Sequence, residues 1–258
     1  MSGTALTFVL VLMLFVGMLA LIELGRRLGA RRMVDEAERE QGGLITVDTA
    51  IYALLGLLVA FTFSGAASRF EDRRVSTVQE ANAIGTAYLR LDLLPAAAQP
   101  ALREQFRRYA EARLATYQAL PDVAASDAHA ARAVALQMDI WRAAVAALRD
   151  APPNASLLVL PALNEMIDVT SIRGVALKTD TPTVVLGALV FLALLCALLV
   201  GYGMAGTTTF SMRLHMVGFA LAMTATIYVI VDLDHPRAGL IRLDFADQAM
   251  IDVLSGMK

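Results

Sequence analysis

The chain has 258 residues, of which 57% are hydrophobic and 18% charged, with 22 Lys and Arg against 24 Asp and Glu. A soluble globule of this length would lack the polar surface to cover itself, because soluble domains run at about 45–50% apolar and about 25% charged. The near-balanced charge gives no basis for nucleic-acid binding, and the single cysteine, Cys196, excludes both an intrachain disulfide framework and a cysteine-ligated metal.

The apolar excess falls into four runs of about twenty residues, the length a helix needs to cross roughly 30 Å of hydrocarbon. The first, over residues 6–24, has no basic stretch before it and is followed by arginines where a cleavage site would stand, so it reads as an uncleaved span. The others cover 45–67, 184–205 and 214–231. The prediction is an all-α membrane protein, with four transmembrane helices in two hairpins flanking a helical domain. The hairpins occupy 1–67 and 183–233, the helical soluble domain 68–182, and a membrane-proximal tail 234–258.

The helical domain carries 13 Lys and Arg and 13 Asp and Glu. Its first helix continues the second span without a Gly-Pro break, since Phe70, Val75, Val78, Ala81, Ile84, Tyr88 and Leu91 keep a spacing of three and four. Pro95 and Pro100 end it. A second helix follows the stripe Leu102, Phe106, Tyr109, Arg113, Tyr117 and Leu120, interrupted only by Arg113 and closed by Pro121. Ser126 or Asp127 is expected to cap a third, through Val134, Met138, Trp141, Val145 and Leu148. A fourth runs over about 157–177, with Pro161 near its start or kinking it. Only the short tail GLIRLDF alternates with period two.

Orientation is balanced on charge. Arg26, Arg27, Arg31 and Arg32 after the first span would place that loop in the cytoplasm and the helical domain outside it. Arg69, Arg73, Arg74, Arg173, Lys178, Arg237 and Arg242 lie on the opposite side and outnumber them, while Asp35, Glu36, Glu38 and Glu40 surround the first cluster.

No nucleophile elbow, phosphate loop, zincin motif or dinucleotide fingerprint occurs, and His129, His215 and His235 lie in separate segments, so the chain does not read as an enzyme. The second span is the most informative. Phe61, Thr62, Phe63, Ser64, Ser68 and Phe70 mix mild polarity with hydrophobic constriction, the composition of a pore lining. The bland alternative is that Gly56, Ala60, Ser64 and Ala67 merely allow close helix packing. Glu71, Asp72, Arg73 and Arg74 follow as candidates for a charged vestibule or, more simply, an interfacial ion-pair cluster. After the fourth span, Asp232 and Asp234 offer oxygen ligands that would suit Ca²⁺, or else salt-bridge to Arg237 and Arg242 where the chain turns. No other cofactor is expected.

The blocks ALLGLLVAFTFSGAASRFEDRR, EANAIGTAYLRLDLLP, LPALNEMIDVTSIR and DLDHPRAGLIRLD, in that order over roughly 45–245, resemble a bestrophin-like bacterial membrane family, related to the bestrophin ion channels. The resemblance implies a homo-oligomer, pentameric if bestrophin-like, with a pore lined by the second span and a cytoplasmic helical domain. Its partners would be the lipid bilayer and small inorganic ions, in a bacterial inner membrane crossed several times. It further implies a pore constricted at Phe61, Phe63 and Phe70 and acidic residues Asp232 and Asp234 placed as in calcium-binding relatives. The competing reading is a membrane-anchored sensor or scaffold whose central helices bind a ligand or partner.

Overall fold

A computed structural model of the chain describes residues 3–32, 41–120, 122–205, 209–235, 240–241 and 244–257. Asp35, Glu36, Glu38, Glu40, Pro121, Arg237 and Arg242, and the side chains of Arg32 and Lys178, lie outside what is described. Among the described residues there is no strand. The helices are α1 (Gly3–Arg32), α2 (Gln41–Leu89), α3 (Gln99–Gln118), α4 (Val123–Ala147), α5 (Ala155–Lys178), α6 (Thr183–Gly203), α7 (Phe210–Asp234) and α8 (Asp244–Gly256), with 3-10 turns at Arg90–Leu93 and Leu148–Asp150. They fall into two units, Met1–Ser68 with Asp180–His235, and Arg69–Thr179 with Pro236–Lys258.

Among the described residues, five helices, one more than expected, are long and apolar enough to cross a membrane: α1, α2, α6, α7 and, over Ala155–Ala176, α5. The addition has a physical cause. α5 belongs to the second unit, where Val159, Leu163 and Met166 are buried in a core, while Leu157, Leu158, Ile172 and Val175 are exposed. A helix apolar on both sides reads by composition like a span.

In the first unit, α1, α6 and α7 pack around Met18, Ile22, Ala197, Met216 and Ala220. Glycine sets the closest approach. A Cβ on Gly25 would run into the carbonyl oxygen of Leu198, and one on Gly201 into that of Ile22, while Gly29 faces Ala205 and Tyr202. Backbones so close make Cα–H contacts to carbonyl oxygens, the usual basis of small-residue packing between membrane helices. Gly17 faces Leu194, so rising numbers on α1 meet rising numbers on α6 and the two helices run parallel. Phe8 of α1 stacks on Tyr228 of α7, centroids 5.7 Å apart.

In the second unit, α2 ends in the 3-10 turn, and Gln99 Nε2 donates to the carbonyl oxygen of Leu94 at 2.9 Å across the corner. The apolar stripe of α3 supplies Leu102, Phe106 and Tyr109, buried with Tyr88, Leu91, Ile140, Leu163, Met166 and Met250. Each such side chain contributes about 2 kcal/mol by leaving water. Asp122, not Ser126 or Asp127, caps α4: its carboxylate accepts from the Ala125 amide at 3.1 Å. Ser126 instead donates to the Thr116 carbonyl oxygen at 2.8 Å. α5 continues through Pro161. The period-two tail is not a strand where it is described, since residues 240–241 are bends and α8 begins at Asp244. Met250 is buried in the core, with Val253 and Leu254 packed against it.

Candidate functional site: the two faces of α2

A helix turns about 100° per residue, which puts Phe61, Ser64 and Ser68 on one side of α2 and Phe63 with Phe70 on another. The burial follows this phase. Phe61 is 68% exposed and Ser64 and Ser68 are exposed, as are Leu54 and Leu57 on the same side. Thr62 faces inward, only 6% exposed, and its hydroxyl donates to the Leu58 carbonyl oxygen of its own helix at 2.7 Å. Phe63 is exposed and Phe70 half-buried on the flank. The six candidates therefore do not share a face. Gly56 meets nothing within 4 Å, so the close glycine packing lies between α1 and α6 and not at this glycine of α2.

The charged candidates divide the same way. Glu71, Asp72 and Arg74 are exposed, with Arg74 Nη1 3.3 Å from a Glu71 oxygen. Arg73 points inward, 3% exposed, and donates to the carbonyl oxygens of Ala176 at 3.2 Å and Thr179 at 2.7 Å, where α5 ends. A cation is well placed there, because the last carbonyls of a helix lack intrahelical partners.

Two turns beyond Arg73, Glu80 is fully buried. One carboxylate oxygen accepts from Arg113 Nε of α3 at 2.5 Å; the other accepts from Arg173 Nη1 of α5 at 2.5 Å and from the Tyr117 hydroxyl at 2.9 Å. Arg113 Nη2 also donates to the Tyr117 oxygen, and the Arg173 guanidinium lies 3.3 Å from the centroid of the Tyr117 ring. Sequence reasoning singled out neither Glu80 nor this cluster. The available signal was Arg113, the one charged member of an apolar stripe. Nearby, the Tyr109 hydroxyl lies 3.0 Å from Thr170 Oγ1, and burial pushes its pKa up to about 12.

On the solvent side of α3, hydrogen bonds from Arg107 and Arg108 hold the Glu104 carboxyl below its usual range. A hydrogen bond with Tyr88 raises Arg103, which also pairs with Asp92. Tyr88 and Arg103 line an open groove of about 390 Å³ with Gln99, Arg107 and Met257.

Asp232 and Asp234 are buried. Asp234 accepts from both the amide (3.1 Å) and the hydroxyl of Thr181, just ahead of α6, and Asp232 accepts from the Tyr228 hydroxyl at 3.4 Å. Among the described residues, no three His, Cys, Asp or Glu side chains gather as a metal-ligand set.

A family profile, the bestrophin-like domain, matches residues 7–245. The chain belongs to the bestrophin-like family. Two crystal structures of a bacterial bestrophin homologue from Klebsiella pneumoniae, each with one residue changed to alanine, share the bestrophin-like fold. One is 16% identical with a TM-score of 0.71, covering 96% of this chain and 97% of that one. The other is also 16% identical, with a TM-score of 0.63 and coverage of 93% and 97%. No curated protein matches. The apolar helices and the bestrophin-like family together make this a membrane protein.

Proposed function

We propose that this bestrophin-like protein is an oligomeric ion channel of the bacterial inner membrane, whose path is lined by the exposed face of α2. One observation carries the reading. Leu54, Leu57, Phe61, Ser64, Ser68, Glu71, Val75, Val78, Asn82, Thr86 and Leu89 recur at steps of three and four and are all exposed. The opposite side, with Leu55, Thr62, Ala66, Arg73, Thr77, Glu80 and Ile84, is buried. A lipid-facing surface would be uniformly apolar. This one passes from aromatic and aliphatic side chains through hydroxyls to a carboxylate and an amide, a sequence suited to a hydrophobic constriction opening into a polar vestibule. Copies of the chain arranged around this face, five if the resemblance extends to assembly, would enclose the path.

Four spans fit this reading better than five. With α1 and α6 parallel, the chain must cross an odd number of times between them, which α2 alone does. A further crossing by α5 would make α6 antiparallel to α1, so α5 is assigned to the helical domain.

Purified protein in planar bilayers should pass salt-dependent current, and Phe61→Ala should change it. A well-folded oligomer that stays silent would overturn the channel in favour of a membrane-anchored scaffold. A reporter fused near Asp122 would give the side of the helical domain.

A further inference from the structure

The polar cluster around Glu80 is not required for stability alone. Withdrawing a carboxylate and two guanidiniums from water costs about as much as their attraction returns, and apolar side chains of like volume often serve equally well. What the cluster adds is direction. Apart from Ile84 and Tyr88, the apolar members of the inner face of α2 in the second unit are small, Ala81, Ala83 and Ala87. Methyl groups let a helix turn through small angles with little loss of contact. Ser76 and Thr77 on that face donate to the Arg73 carbonyl oxygen at 3.0 and 2.8 Å, so their hydroxyls bond within α2.

Arg73 and Glu80 reach across instead. They stand seven residues apart, two turns along one face. Arg73 holds the terminal carbonyls of α5, and Glu80 is held by Arg173 of α5 and by Arg113 and Tyr117 of α3. A carboxylate with both oxygens engaged from two different helices cannot turn with its own helix without breaking charged bonds. We infer that Glu80, with Arg113, Arg173 and Tyr117, is a rotational lock: these are positioning residues that fix the angle of α2 about its axis and hence which side chains its outer face presents. Any effect on conduction rests on the channel reading above; the lock itself does not.

Thiol labelling tests it in the full-length protein. With Cys196→Ala removing the native thiol, single cysteines are placed at exposed Asn82 and at buried Ala81, Ala83 and, on α4, Ala144. With the lock intact, only Asn82→Cys should react quickly with a water-soluble maleimide. In the apolar variant E80M/R113M/R173M, Ala81→Cys or Ala83→Cys should react about tenfold faster or more while Ala144→Cys stays slow, since labelling follows the population in which a site is exposed. Unchanged rates at both positions would overturn the lock. So would a parallel rise at Ala144→Cys, which would mean general loosening instead of rotation. If the triple variant does not fold, Glu80→Gln carries the same expectation and the same refutation. Silent bilayers alongside an altered labelling phase would remove the channel reading and leave the lock in place.

Discussion

Glu80 of α2 and Arg113 of α3 stand 2.5 Å apart with both side chains withdrawn from solvent. Glu80→Ala would leave Arg113 and Arg173 buried without their shared carboxylate, a change that typically costs about 3–5 kcal/mol. The single variant should melt well below the wild type, and E80M/R113M/R173M should recover most of the difference. A triple variant no more stable than Glu80→Ala would show that the cations do not depend on this carboxylate.

Alkaline pH should unfold the protein partly through Tyr109. Burial raises its pKa to about 12, so the folded state holds the phenolic proton more tightly than the unfolded chain does. That contribution is complete below the unfolded value of about 10 and disappears as pH rises through about 12, a loss of order 3 kcal/mol. Thermal unfolding followed across this range should show the decline, and Tyr109→Phe should flatten it. An identical decline in the variant would assign it to other groups.

Gly201→Ala should destabilise the first unit by about 1–3 kcal/mol, because a new methyl would meet the Ile22 backbone and force α1 and α6 apart. Gly56→Ala has open space around it and should be neutral or gain up to about 1 kcal/mol from helix propensity. Paired unfolding measurements in detergent would separate the two, and equal effects would contradict the assignment of close packing to α1 and α6.

On the channel reading, Phe61→Ala should alter conductance more than Phe63→Ala, since only Phe61 lies on the exposed face with Ser64 and Ser68. Thr62→Val should leave conductance unchanged, its hydroxyl being spent on Leu58 within the helix. Single-channel recording of the three variants checks the order.

Asp122→Ala removes the side-chain acceptor for the Ala125 amide and should cost about 1 kcal/mol. Ser126→Ala loses a different bond, to Thr116, but the Ser126 amide donates to the Asp122 carbonyl oxygen at 3.0 Å, so the two losses should couple and unfolding of the double variant should depart from their sum.

Much of the architecture is legible in the residues. Uninterrupted apolar runs mark α1, α6 and α7, and the absence of a break after Ala67 marks the continuity of α2. Asp122 does not read as a cap in sequence, because it follows Pro121 and precedes only small apolar residues, with Ser126 and Asp127 offering cap-type side chains just beyond. α8 is not legible in sequence, because its apolar positions, Met250, Val253 and Leu254, are too few in a short tail to establish a period. The six pore-lining candidates are alike in chemistry but not in helical phase, which separates Phe61 from Thr62 and Phe63. Glu80 was invisible for another reason. A carboxylate in a helix looks solvated until the distant arginines that bury it, at positions 113 and 173, are brought to it by the fold.

The seam between α1 and α6 is drawn by backbone at Gly25, Gly29 and Gly201, so the separation of the two helices is independent of which apolar side chains surround it. Substitution on the exposed sides of these helices should be tolerated widely, provided it remains apolar, and rejected sharply at those three positions. Such a seam places few demands on ancestry: most of its letters can be rewritten while its geometry is inherited unchanged.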